Sequence, residues 1–505
     1  MTSTLTTEPA VRGRRPLGYV IAVLMLVAIV SSFESTMMYT ALPSLMKDFN
    51  TDASTASWVL TGFLLVGAAS AAISGRLGDI FGRKRVLIIL LIASLAGSII
   101  SLLSHDILGV IAGRAVQGLA GGLLPLCFGI IREAVAEKSL SIAISLVAGT
   151  AMLAGAAGNI VAGNIVDTLG WHYIFVFAAV LAVVTTAGAL FLQGTRPDGP
   201  RDRIDWLGGI LFAPGLGLVL LGINAAQGVG WASPIVIGSI GVGLIVLAGW
   251  VFWEVRHPKP MVNVRLFAKR NFGLTMLAGA LLGIPLGISG FMGQLIMQYP
   301  TQAPVGFGIS AGTAGTVSFC IGLFGFALSP LSGRIARHGR ARTSLIIGAS
   351  AGVIAAILTA LSAAVWDSFP GFVISQIVLT VSTAFVLSSL PMLVVETAPA
   401  ANTGEATGMY TVVQTAFSGV GTAVGVSILA AFTLPGAHFS SAGGYIAAFV
   451  LVAVLCLVAL FIAFALRVNR TVEPGIGFDA VAAEGGPASA SAEATAAANE
   501  PTATH

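Results

Sequence analysis

Charge is what this chain has least of. Asp, Glu, Lys and Arg make up 9% of its 505 residues, against 56% hydrophobic ones. That is too little polar surface to keep a folded body of this size in water, and a mean hydropathy of +0.95 points the same way. Cysteine is scarcer still. Cys127, Cys320 and Cys456 sit inside apolar segments at unrelated spacings, which gives neither a disulfide framework nor a metal-ligand pattern. The six histidines lie in loops or tails and cluster with no cysteine or acid, so no metal site is expected. No Gly-x-x-x-x-Gly-Lys-Ser/Thr stretch is found, which argues against direct coupling to ATP. No motif for chemistry on covalent bonds is visible either, and an enzyme is the least favoured reading.

What the chain does have is apolar runs of membrane-spanning length. Fourteen segments are expected, near 18–42, 54–74, 86–104, 106–131, 139–166, 171–193, 206–225, 234–253, 271–293, 309–332, 343–365, 369–393, 405–434 and 442–466. Each approaches the length needed to cross a ~30 Å hydrocarbon layer as a helix. The expected fold class is therefore an all-α polytopic membrane protein. Residues 1–17 read as a cytoplasmic segment whose Arg12, Arg14 and Arg15 precede a retained signal-anchor. Residues 468–505 are rich in Ala, Glu, Ser, Pro and Thr without periodicity and are expected to be disordered.

Orientation follows from the basic residues. With the N-terminus inside, 23 of the 25 Lys and Arg fall on the inner side, leaving Lys47 outside and Arg114 within a span. The positive-inside rule predicts this pattern for two cytoplasmic termini. The net charge of +4 is then topological, and no nucleic-acid partner is implied.

GRLGDIFGRKRVL (75–87) follows span 2, and a degraded copy, GRIARHGRART (333–343), follows span 10. The offset is eight spans. It predicts a six-helix bundle over 18–193, a connecting region over 194–270 carrying two inserted helices (206–225, 234–253), and a second six-helix bundle over 271–467. Parallel repeats of this kind fit transporters that alternate access around a site between their halves.

Residues 15–467 resemble the major facilitator superfamily, and within it the fourteen-helix drug:proton antiporter branch, the EmrB/QacA-type exporters. Gly75-x-Leu77-x-Asp79-x-x-Gly82-Arg83-Lys84 is similar to the superfamily's loop motif, and Arg114-x-x-Gln117-Gly118 to its span 4 motif. FESTMMYTALP resembles the branch's span 1 motif, with glutamate in place of the usual aspartate, and Trp58 opens span 2. Where the branch carries Gly-Pro-x-x-Gly-Gly in span 5, this chain reads Gly158-Asn159-Ile160-Val161-Ala162-Gly163. The resemblance implies a major facilitator fold in a bacterial cytoplasmic membrane and a latch at Gly75, Asp79, Gly82, Arg83 and Lys84. It also implies an antiporter-motif helix bearing Gly155, Gly158 and Gly163.

Glu34 is the only acidic residue well inside a span. An ionised carboxylate at mid-membrane costs a few kcal/mol or more, so such a group is neutral, wet or paired. A carboxyl poised between those states can carry a proton, which a proton-coupled carrier requires; the alternative is a permanently protonated packing residue. Glu34 and Arg114 each lie eight residues from the outer end of their span. That is roughly 12 Å deep at the helical rise, which permits an interaction between them. A static pair, or an arginine bonded to backbone carbonyls, is the alternative. Thr36, Tyr39, Gln117 and Asn159 are candidate substrate-cavity residues, each able to hydrogen-bond a ligand or a neighbouring helix. Asp79 is expected to accept from a facing helix N-terminus.

The expectation is a proton-coupled exporter of small hydrophobic or cationic drugs or antibiotics, monomeric in the bilayer. It uses no cofactor, and the proton gradient is its energy source. Uptake by symport and a non-transporting receptor or scaffold are the alternatives.

Overall fold

A hydrocarbon layer offers no hydrogen bonds, so backbone that crosses it closes its bonds internally as helix. The computed structural model describes residues 16–135, 137–193, 206–230, 232–257, 264–336, 340–364, 367–398, 403–433 and 439–466. In chain order the helices are α1 (Leu17–Asp48), α2 (Ala53–Phe81), α3 (Arg83–Leu103), α4 (Ile107–Gln117), α5 (Leu123–Ala134), α6 (Glu137–Thr168) and α7 (His172–Leu190). There follow α8 (Trp206–Val229), α9 (Pro234–Arg256), α10 (Arg270–Gln298), α11 (Ala311–Ala336), α12 (Ala341–Ala364), α13 (Phe369–Thr397), α14 (Thr403–Ala431) and α15 (Ala442–Ala465).

Among the described residues, thirteen spans are long and apolar enough to cross a membrane, α4 and α5 together forming one of them. The segment expected at 206–225 is helical, as part of α8, but its described apolar stretch is only Pro214–Ile223. Large apolar side chains cover the outside of the molecule: Ile245 is 71% exposed and Phe461 64%. In water such a surface would aggregate, whereas against lipid it is the ordinary exterior.

Two sets of helix pairings match. α1 packs along α6 as α10 packs along α14, and α3 lies against α7 as α12 lies against α15. Between the sets, α6 meets α11 and α2 meets α14. The α8–α9 hairpin rests on α2 and α14, with Phe212 of α8 among Ala68, Val412 and Ala416. A matching cap joins the first two sets. Lys84, opening α3, donates to the carbonyl of Leu190 at the end of α7 (2.7 Å). Arg342, opening α12, donates to the carbonyls of Ala463 (2.9 Å) and Phe464 (2.8 Å) at the end of α15. In each case a cation satisfies the orphan carbonyls at a helix C-terminus.

Two local expectations change. Residues 75–81 are the last turns of α2 rather than a loop, and the chain turns at Gly82 alone. Its φ of +92° is a left-handed conformation that favours glycine. The fourth span is interrupted by a 3₁₀ turn, Gly118–Gly122, because its glycines lie on α2. A Cβ on Gly118 would come 2.6 Å from the Phe63 carbonyl oxygen, and one on Gly121 2.6 Å from the Gly67 Cα.

Candidate functional site

Glu34, midway along α1, is fully buried. The Ser94 hydroxyl of α3 donates to its Oε1 at 2.5 Å, and Oε2 has no partner among the described residues. Arg114 of α4 is buried beside it and makes three hydrogen bonds. Its Nη2 donates to the Glu34 backbone oxygen (2.9 Å), Nη1 to Gln117 Oε1 (2.9 Å), and Nε to the Val59 carbonyl of α2 (3.3 Å). The guanidinium also lies over the Phe63 ring, 4.1 Å from its centroid. Gln117 Nε2 donates to Ser98 Oγ (2.6 Å), which in turn donates to the Ser94 carbonyl (3.0 Å). One connected polar cluster thus ties together α1, α2, α3 and α4.

Glycine permits this closeness. A Cβ on Gly97 of α3 would lie 2.6 Å from both the Gln117 nitrogen and the Gly113 oxygen of α4. The two backbones therefore touch, and Arg114 and Gln117 reach across to α1 and α3.

The structure brings Glu34 and Arg114 together, but through Glu34's backbone. Arg114 uses its donors on two carbonyls and an amide oxygen, while the carboxyl group turns toward α3. The arginine is bonded largely to backbone, one of the alternatives the sequence leaves open, and the carboxyl is held by one hydroxyl.

The other candidates lie elsewhere. Thr36 donates to the Ser32 carbonyl within its own helix (3.1 Å) and faces Gly158 of α6. The Tyr39 ring lies against Gly290 of α10, where a Cβ would come 3.2 Å from it. Asn159 belongs to a second chain of polar groups nearer the α1–α2 end. Thr40 donates to Asn159 Oδ1 (3.1 Å), and Gln298 Nε2 donates to the Thr40 carbonyl (3.0 Å) and to Gln294 Oε1 (3.1 Å). Gln294 then donates to Ser318 (2.8 Å), joining α6, α1, α10 and α11.

The glycines of α6 divide. Gly155 has ordinary spacing from Thr36, Gly158 abuts the Thr36 hydroxyl, and Gly163 lies against Ala311 and Gly312 of α11. Asp167, which sequence reasoning missed, accepts from the Gly312 backbone nitrogen at 2.7 Å and so holds the first turn of α11. Of the expected latch, Arg83 donates to the Gly129 carbonyl (2.6 Å) and pairs with Glu133 (2.9 Å), both on α5. Lys84 caps α7 as above, and a Cβ on Gly75 would meet no described atom within 4 Å. The Asp79 side chain lies outside the described residues, as does Arg337 of the second motif copy.

Comparison with known proteins places this geometry in a family. The chain is 25% identical over 345 residues to the uncharacterized MFS-type transporter YhcA of Bacillus subtilis (strain 168), covering 68% of this chain and 64% of that one. It is 30% identical over 318 residues to the lincomycin resistance protein LmrB of the same organism, covering 62% of this chain and 64% of that protein. The chain thus spans less than two thirds of the length of these two relatives. Its fold is like that of the human organic anion transporter MFSD10 (TETRAN), with a TM-score of 0.61 at 16% identity, over 89% of this chain and 100% of that one. A family model described as Major Facilitator Superfamily matches residues 24–422 and 307–492. The chain belongs to the Major Facilitator Superfamily and is a multi-pass membrane protein.

Proposed function

We propose that this transporter exports small hydrophobic or monocationic compounds, drugs or antibiotics among them, in exchange for protons. It belongs, in this reading, to the fourteen-helix drug:proton antiporter branch and lies in a bacterial cytoplasmic membrane with both termini inside. Helices α1–α7 and α10–α15 form two six-span halves that rock about the centre, with α8 and α9 inserted between them, and the protein works as a monomer without a cofactor.

One observation carries the coupling: Glu34 is fully buried with Oε2 unpartnered. A buried anion with an unsatisfied oxygen is costly, and a proton on Oε2 removes the charge. Ser94 and the Arg114-held backbone keep the carboxyl in place. Rocking of the halves changes the water around it, so proton and substrate occupy the site in turn. The binding reciprocity this requires is ordinary linkage. Contact between α6 and α11 at Gly163, Gly312 and Asp167 supports a conformation closed at the α1–α2 end, the outer side in this orientation. Export is supported by the relative named for lincomycin resistance.

Inverted membrane vesicles test the reading. Adding a carried lipophilic compound to energised vesicles dissipates the pH gradient in wild type and leaves it intact in Glu34→Gln. A gradient untouched in wild type across a panel of such compounds, or equal dissipation by the variant, overturns proton-coupled export through Glu34.

A further inference from the structure

At the α1–α2 end, away from Glu34, the described structure contains a cavity of about 1000 Å³. Its walls come from the α1–α2 connection, the facing ends of α8 and α9, the end of α10 and the neighbouring ends of α14 and α15. We propose that this cavity is a second ligand site, separate from the Glu34 cluster, which takes a lipophilic monocation. It rests on the preceding section only for its placement on the outer side.

The volume suits a drug-sized molecule. Met46, where α1 enters the cavity, is twelve residues beyond Glu34, or about 18 Å along the helix, so the two sites do not overlap. The lining chemistry is lopsided. Among the described residues, Asp52 is its one carboxylate and no Lys or Arg lines it. Val229, Ile235 and Leu429 give apolar wall, and Tyr299 and Tyr445 add aromatic side chains, a residue type that attracts cations.

Tyr445 also lines the cavity; it is 1% exposed, and among the described residues its hydroxyl has no hydrogen-bond partner. A buried hydroxyl left unpaired costs about 1–3 kcal/mol, which a ligand that turns this hydroxyl into the cavity recovers. An apolar body with one positive head satisfies the walls, the carboxylate and the phenols together; an anion would meet Asp52 and nothing to oppose it. The site also gives the α8–α9 hairpin a purpose, since Ala225, Val229 and Ile235 close one side of it.

The test uses the full chain in lipid nanodiscs with no gradient imposed. Ala430 lines the cavity and becomes a reporter as Ala430→Cys; Cys320, the exposed native thiol, is silenced as Cys320→Ser, while Cys127 and Cys456 are buried. A charged maleimide is expected to label the reporter, and tetraphenylphosphonium to slow that labelling. Asp52→Asn keeps a good helix cap at α2 yet removes the charge, and weakens protection about tenfold, the scale of one charged contact. Tyr445→Phe, which deletes only the hydroxyl, weakens it several-fold. The proposal is overturned by an unreactive reporter, by absent protection, or by protection indifferent to Asp52→Asn and Tyr445→Phe. No proton movement enters this assay, so the site and the coupling mechanism stand or fall separately.

Discussion

The same helix pairing is fastened differently in the two halves of the molecule. Between α3 and α4 the contacts run through Ser98, Gln117 and Arg114, and from there to Glu34. Between α12 and α13 they are neutral: Thr359 donates to Ser375 (2.9 Å), Ser382 to the Gly348 carbonyl (2.7 Å) and Ser344 to the Phe385 carbonyl (3.2 Å). Among the described residues, no charged side chain of α10–α15 is fully buried, whereas Glu34 and Arg114 both are. Burying charge is costly and burying a satisfied hydroxyl is not. Under the proposed proton coupling, the N-terminal half carries the switchable group and the C-terminal half is the neutral body it works against.

Substitutions that exchange the character of the two halves break or sharpen this comparison. The largest effect is expected from Arg114→Met. It removes the second hydrogen bond to the Glu34 and Val59 carbonyls and leaves the Gln117 amide oxygen unpartnered, abolishing transport and lowering stability on the order of 3 kcal/mol. Thermal unfolding in detergent together with an efflux assay measures both. Ser94→Ala comes next: it leaves both carboxyl oxygens of Glu34 unpartnered and slows efflux several-fold, at a cost of about 1–2 kcal/mol. Its counterpart in the other half, Thr359→Val, is expected to cost about 1 kcal/mol and leave efflux within about twofold of wild type. Equal functional losses at Ser94 and Thr359 would erase the distinction between the halves. The smallest effects belong to the matching caps. Lys84→Ala and Arg342→Ala each remove a cation from a helix C-terminus, lowering stability by about 0.3–1 kcal/mol and to a similar extent in the two halves.

Much of this arrangement was legible in the chain. Helix positions follow from apolar length and basic loops, and the helix ends mostly fall within a few residues of the expected segments. Glu34 and Arg114 stand out because ionisable groups are rare at membrane depth. The repeat at 75–87 and 333–343 foreshadowed the paired caps, although their acceptors at Leu190, Ala463 and Phe464 were not readable, since a backbone carbonyl leaves no mark in sequence. Ser94 and Ser98 were missed despite a spacing of four that marks one helix face. Serines are common enough in membrane helices to look like packing. Asp167 was missed because it sits where a span gives way to a loop, and only its meeting with Gly312 gives it a role. The turn of Arg114 onto Glu34's backbone was also hidden. Depth along two helices says which residues share a level, but not which atoms face each other.

In the proposed mechanism, one carboxyl group in α1 exchanges a proton for substrate. Purified protein in weakly buffered detergent, with a pH-indicator dye, reads this directly when a carried compound is added. The account predicts release of about one proton per protein from wild type and none from Glu34→Gln, as reciprocal linkage between the two ligands demands. Substrate binding to wild type with no proton released, or the same release from the variant, would contradict it.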